Sequence, residues 1–274
     1  MSSFFTPRFK RIVKIFLLVY GIIGIAGYYL QDYLLLHPKK IAPNERYSFP
    51  GTFEEINWKV DEQTSFHIVQ FTVPDSLRKG VVLYFHGNQN NITRYAPFAP
   101  QFTNEGYEVW MAEYPGFGKA EGKATEDLMY QEAIQVYQLA RKKYTPQQII
   151  IYGKSIGTGV ASYLASRRDC QNLILETPYY SIASLLRPLF GIYPLGSLLH
   201  FQFPTYQYLP EVAAPITILH GTRDGVIRYS NAQQLQPLLK SGDRFITIEG
   251  GSHNNLNDFP LMQQSIRQIL QHKP

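Results

Sequence analysis

Apolar positions fall along this chain in three rhythms. The first is a nearly unbroken run from Ile12 to Leu30 that continues through Tyr33-Leu34-Leu35-Leu36. A helix of about 20 residues, rising 1.5 Å each, crosses a hydrocarbon core of roughly 30 Å. One membrane-spanning anchor is predicted. The second rhythm is alternation of apolar and polar residues over Phe53 to Val60 and Ser65 to Val73, either side of Asp61-Glu62-Gln63-Thr64, which predicts a β-hairpin. The third begins at Val81-Val82-Leu83-Tyr84-Phe85, where solid apolar blocks alternate with helical stretches. Blocks of that kind suit strands buried on both faces of a parallel sheet.

Taken in order, the third region predicts helix 93–104, strand 107–113, helix 124–143, strand 148–152, a helix opening at Ser155, and a strand over Asn172 to Leu175. Residues 178–210 break the alternation with aromatics and prolines, from Tyr179-Tyr180 to Phe201-Gln202-Phe203-Pro204. They are expected to form a cap beyond the carboxyl edge of the sheet. The sheet resumes at Ile216 to Leu219, with helix 230–240, strand 245–248 and a last helix over 259–272. The fold class is therefore α/β, a mostly parallel doubly wound sheet with an N-terminal β-hairpin and a short aromatic-rich cap. Two domains are expected: an N-terminal tip and anchor over 1–40, and a catalytic domain over 41–274.

Charge changes the picture at one point. The net charge is +5 over 274 residues, and Arg8, Lys10, Arg11, Lys14, Lys39 and Lys40 against Asp32 account for all of it. The basicity belongs to a membrane flank, so no nucleic-acid partner is expected. Basic residues crowd the amino end of the span, which places that end in the cytoplasm and the catalytic domain on the non-cytoplasmic side. A cleavable signal peptide is the alternative, with Gly24-Ile25-Ala26 as a small-x-small cleavage site. Cys170 is the only cysteine, which excludes an intrachain disulfide and any multi-cysteine metal site.

Candidate chemistry centres on Ile149-Ile150-Ile151-Tyr152-Gly153-Lys154-Ser155-Ile156-Gly157. A β-branched strand breaks there at Gly-Lys-Ser-Ile-Gly into a small-residue helix, so Ser155 stands on a sharp turn with its hydroxyl clear of the sheet. A serine hydroxyl is a poor nucleophile at neutral pH and needs a base, itself oriented by a third group. Of the seven histidines, His253 lies on a glycine-rich loop after the last strand and is the expected base. Asp224, on the loop after Leu219, is the expected orienting carboxylate. Glu176, at the end of the preceding strand, is its rival; His220 is read as structural. The oxyanion of a tetrahedral intermediate needs two prearranged N–H donors. These are expected from Ile156, just after the nucleophile, and from Asn88 in the His86-Gly87-Asn88 loop.

Leu83 to Asn88, Glu113-Tyr114-Pro115-Gly116-Phe117-Gly118, Gly153 to Gly157, Leu219 to Asp224 and Gly251-Ser252-His253-Asn254, in that order, resemble the successive signatures of membrane-anchored α/β-hydrolase-domain serine hydrolases. The resemblance covers residues 53–272. It implies an α/β-hydrolase fold, a triad of Ser155, Asp224 and His253, and hydrolysis of an acyl ester or thioester; relatives include protein depalmitoylases and lipid hydrolases. The expected activity is that of a serine hydrolase working through an acyl-enzyme, with a small-molecule or lipid acyl ester as substrate and no metal or organic cofactor. An amidase or peptidase with the same triad is one alternative. A catalytically silent, membrane-tethered binding module on the same shell is another.

Overall fold

A computed structural model describes residues 6–271. His272 lies outside the described residues. Strands β1 (His37–Pro38), β2 (Phe53–Lys59), β3 (Ser65–Phe71), β4 (Gly80–Phe85), β5 (Gln89–Asn90), β6 (Tyr107–Glu113), β7 (Ile149–Lys154), β8 (Asn172–Glu176), β9 (Ile216–Gly221) and β10 (Arg244–Ile248) carry the fold. Eight of them form one sheet in the order β10-β9-β8-β7-β4-β6-β3-β2. The six strands from β10 to β6 run parallel, while β3 and β2 continue the sheet antiparallel as a hairpin. The central strands β4, β6 and β7 are buried throughout, as their unbroken apolar runs require.

Five longer helices matter below: α1 (Pro7–Leu35), α2 (Glu126–Ala140), α3 (Gly157–Arg167), α4 (Ile182–Phe190) and α5 (Pro260–Gln271). Side chains alternate across each strand, so β4 sends Leu83 and Phe85 to the side covered by α2 and α3. Its Val82 and Tyr84 point to the side covered by Phe102 and α5. The sheet thus has an apolar core on each face. That leaves its carboxyl edge as the place where loops converge, the usual position of a site in open α/β sheets.

Two expected helices are broken by proline. Residues 93–104 form short pieces, Ile92–Tyr95, a 3₁₀ turn over Ala96–Phe98 and Pro100–Thr103, because Pro97 and Pro100 cannot donate to the helical ladder. Residues 230–240 likewise reduce to Tyr229–Gln233 and a 3₁₀ turn, Gln236–Leu238, around Pro237. The aromatic-rich insert of residues 178–210 opens with α4. Ser181 caps that helix by accepting from the Ser184 N–H at 3.1 Å. Its later part buries Phe201 and Phe203 in the core cluster that also holds Ile156.

Candidate active site

The turn at Ser155 is built by close approach. Ser155 itself has φ +53°, a left-handed conformation that costs a non-glycine residue about 1–3 kcal/mol and persists only where surroundings over-determine it. Here they do. The Ser155 N–H donates to the Glu176 carbonyl at 2.9 Å, and Thr158 returns its N–H and hydroxyl to the Ser155 carbonyl at 2.9 and 2.6 Å. The flanking glycines serve space rather than φ. A Cβ on Gly153 would lie 2.5 Å from the Gly157 carbonyl oxygen, and one on Gly157 only 2.1 Å from that of Phe85. Strand β7, the end of β4 and the first turn of α3 can therefore pack together only if both positions lack a side chain.

Three loops bring the other predicted residues to this turn. His253, in the loop after β10, places Nε2 2.9 Å from the Ser155 hydroxyl oxygen and Nδ1 2.7 Å from Oδ2 of Asp224, in the loop after β9. The Asp224 bond assigns the ring proton to Nδ1, which leaves Nε2 to accept from the serine hydroxyl. Oδ1 of Asp224 is held by the N–H groups of Val226 and Ile227, each at 2.8 Å. Burial opposes ionisation of Asp224, but the bond and charge of His253, with the N–H groups of Ile227 and Val226, outweigh it. The carboxyl stays below its usual range. His220 lies 3.4 Å from Asp224 and donates from Nε2 to the Ile227 carbonyl at 2.9 Å; burial lowers its pKa and favours the neutral ring. Glu176 is engaged elsewhere. Its carboxylate meets Lys154 and the Tyr152 hydroxyl beneath the turn.

The loop bearing Asn88 lies against the nucleophile: a Cβ on Gly87 would stand 3.5 Å from the Ser155 Cβ. His86, fully buried, donates from Nδ1 to the Gly87 carbonyl at 2.7 Å, and the Tyr114 hydroxyl donates to the His86 carbonyl at 2.9 Å. Among the described residues, the backbone N–H groups of Ile156 and Asn88 donate to no protein carbonyl. They remain available to a ligand oxygen.

One participant has no signal in the sequence. Residues 35–41, leaving α1, strap the Asn88 loop in place. The Asn88 side-chain amide donates to the Leu35 carbonyl at 2.7 Å, and the His37 N–H donates to the Asn88 carbonyl at 2.9 Å. The Lys39 N–H donates to the Asn90 carbonyl, and the Asn91 amide to that of Lys39, both at 2.9 Å. The strap forms β1, which pairs in parallel with β5. A two-residue strand is too short to leave a hydrophobic period, which is why pattern alone does not find it.

Solved structures share this architecture over more than four fifths of the chain. An esterase of Pyrococcus furiosus superposes with TM-score 0.64 over 86% of this chain and 97% of its own, at 16% identity. A soluble variant of the monoglyceride lipase of Saccharomyces cerevisiae, in complex with a substrate analogue, gives 0.62 over 82% and 97%, also at 16%. The chain has the α/β-hydrolase fold. A family model described as serine aminopeptidase, S33, matches residues 77–208 of this chain, a span that holds Asn88 and Ser155 and stops before Asp224. Among curated proteins, alpha/beta hydrolase domain-containing protein 17C of Xenopus tropicalis is 29% identical over 195 residues, covering 70% of this chain and 62% of that protein. Its human counterpart is 27% identical over 195 residues, covering 70% and 58%. The chain thus spans about six tenths of the length of these relatives. Likeness at 16% speaks for the fold alone, and a fold hosts many activities; the chemistry has to be argued from the site.

Proposed function

We propose that this α/β-hydrolase is a serine esterase or thioesterase held on a membrane by α1. The observation that carries the reading is the unbroken relay from Ser155 through His253 to Asp224, at 2.9 and 2.7 Å. In this reading the Ser155 oxygen attacks an acyl carbonyl while His253 Nε2 takes its proton. Asp224 steadies the imidazolium that forms. The oxyanion is met by the N–H groups of Ile156 and Asn88. His253 returns the proton to the departing alcohol or thiol, then activates a water that releases the acid from Ser155. The insert touches the turn directly, since the Tyr179 hydroxyl donates to the Ile156 carbonyl at 3.1 Å. That contact suits a cap supplying an apolar wall.

Helix α1 supports the membrane half of the proposal. Its 29 residues have a mean hydropathy of 1.9 over the most apolar window, and none is buried by the protein. Side chains such as Phe16 and Leu18, more than 60% exposed, need a lipid surrounding. Cleavage after Ala26 would discard Tyr20 and Gly24, which pack on the insert, so a retained anchor fits better than a signal peptide. The basic amino end supports a catalytic domain on the non-cytoplasmic side.

The test uses the full chain in detergent with p-nitrophenyl esters from acetate to palmitate, a thioester series and an amino-acyl anilide. The last is included because the matching family model describes a serine aminopeptidase. Ester or thioester turnover should fall by about 10⁴-fold or more in Ser155→Ala and His253→Ala, and a fluorophosphonate probe should label only the wild type. Turnover of the anilide alone moves the assignment to amide cleavage. Equal inertness of wild type and variants on all substrates, without labelling, defeats the enzyme reading.

A further inference from the structure

Helix α1 is bound to the insert along its second half. The Tyr20 ring stacks on that of Tyr193 with centroids 4.4 Å apart, and the Tyr193 hydroxyl donates to the Tyr20 carbonyl at 2.9 Å. Gly24 makes room for this contact, since a Cβ there would stand 2.9 Å from the Tyr193 ring. Further along, the Gln31 side chain donates to the Leu198 carbonyl at 3.0 Å and accepts from the His200 N–H at 2.7 Å. Asp32 pairs with Lys123 and His200.

Between these contacts runs a groove of about 210 Å³, with Ile23, Gly27 and Leu34 of α1 facing Leu185, Phe190 and Leu198 of the insert. Its lining is mostly hydrocarbon and aromatic; its amide, Gln31, is bonded to the insert and its Tyr193 hydroxyl to the Tyr20 carbonyl. Such a surface suits an apolar chain far better than a polar headgroup.

The position of the groove relative to a bilayer follows from α1. Asp32, a carboxylate held by Lys123 and His200, belongs at the water boundary. Tyr20 lies twelve residues earlier in the same helix, about 18 Å along its axis, whereas half a hydrocarbon core is roughly 15 Å. The Tyr193 end of the insert is thereby carried to the depth of acyl chains. Leu189 and Ile192, 79% and 68% exposed, would face lipid there.

The other end of the groove approaches the reacting centre. Leu35, in its lining, gives its carbonyl to the Asn88 side chain. Ile182 and Phe201, also in the lining, share a buried cluster with Ile156.

We infer that the groove between α1 and the insert is an acyl-chain site, filled by the chain of an ester resident in the leaflet that α1 crosses. The inference rests on the serine-hydrolase and membrane-anchor readings above and names their substrate class. With a methylene taking about the room of a water molecule, roughly 30 Å³, the groove holds about seven carbons. Any further carbons remain among the lipids.

Gly27 provides the test, because a Cβ there meets nothing within 4 Å and a larger side chain would grow into the groove. Gly21 has the same open surroundings but lies outside the lining. Full-length wild type, Gly27→Leu and Gly21→Leu are reconstituted in phosphatidylcholine vesicles and assayed with p-nitrophenyl acetate and octanoate. The ratio of kcat/KM for octanoate over acetate should fall about tenfold in Gly27→Leu and stay at the wild-type value in Gly21→Leu. A second variant, Leu185→Ala, should move the preferred chain length upward by one or two carbons. An unchanged ratio in Gly27→Leu, or an equal fall in Gly21→Leu, overturns the groove while acetate turnover leaves the serine-hydrolase reading standing. A wild type that neither turns over ester nor reacts with a fluorophosphonate overturns both.

Discussion

Gly157→Ala should separate the two sides of the proposed oxyanion site without touching a reacting atom. The added Cβ would lie 2.1 Å from the Phe85 carbonyl oxygen and 2.6 Å from that of His86, both backbone atoms that lead directly into Asn88. An ordinary contact begins near 3.4 Å, so the turn and the Asn88 loop must part by about 1.3 Å. Misplacement by about 1 Å costs on the order of 10²-fold in rate, or about 2.7 kcal/mol of transition-state stabilisation. Overpacking adds a stability loss of about 1–3 kcal/mol. Full-length protein assayed on p-nitrophenyl acetate should therefore show kcat down about 100-fold with a much smaller change in KM, and a melting temperature lower by several degrees. Gly159→Ala is the comparison. Its Cβ would meet the Tyr179 hydroxyl and the Phe203 side chain, at 2.6 and 2.7 Å, on the insert side of α3. Its kcat should suffer less than that of Gly157→Ala. Wild-type kcat in Gly157→Ala at unchanged melting temperature would refute the reasoning, as would an equal loss in Gly159→Ala.

Asp224→Asn should keep the fold and lower kcat by about 10⁴-fold, because an amide stabilises the wrong tautomer of His253; steady-state kinetics beside a melting curve decides it. Lys154→Met strands the Glu176 carboxylate, 1% exposed, with Tyr152 as its remaining partner, and should cost about 3–5 kcal/mol in chemical denaturation. Burial holds the His220 pKa below its ordinary 6.5, so the unfolded chain binds that proton at higher pH than the folded one. Stability should accordingly fall as pH drops below about 6.5, with a shallower slope in His220→Gln. For Asp224 the folded pKa is depressed, so its contribution is complete above about 3.9 and lost only as pH falls through the lower folded value. Melting curves between pH 3 and 7 separate the two groups.

The parts legible in the sequence are those in which neighbours along the chain decide the outcome. Ile149-Ile150-Ile151 is a buried central strand, and the turn after it places Ser155 at positive φ. Where one residue overrides a periodic pattern, periodicity alone misses the break: Pro97, Pro100 and Pro237 cut helices whose apolar spacing is continuous. Where distant segments meet, pattern was silent. Nothing around Leu35 or His37 announces a bond to Asn88, and nothing in Tyr20 announces the ring of Tyr193. Such contacts depend on how α1 leaves the sheet, a tertiary property with no local period. The separation of Asp224 from Glu176 is intermediate. Both stand at strand ends, but Lys154 and Tyr152 engage Glu176 while the loop after β9 turns Asp224 toward His253.

The strap of residues 35–41 bears on how the protein should be handled at the bench. The usual shortcut with a membrane-bound enzyme is to delete the hydrophobic leader and purify what remains from the soluble fraction. Here a cut at residue 41 would take the Leu35 carbonyl from Asn88, the His37 and Lys39 N–H groups from the Asn88 and Asn90 carbonyls, and the Lys39 carbonyl from Asn91. The loop beside Ser155 would lose four hydrogen bonds in a single stroke. A silent truncated protein would then be a false negative, reporting a loosened loop rather than absent chemistry, and solubility would have been gained by dismantling the thing to be measured.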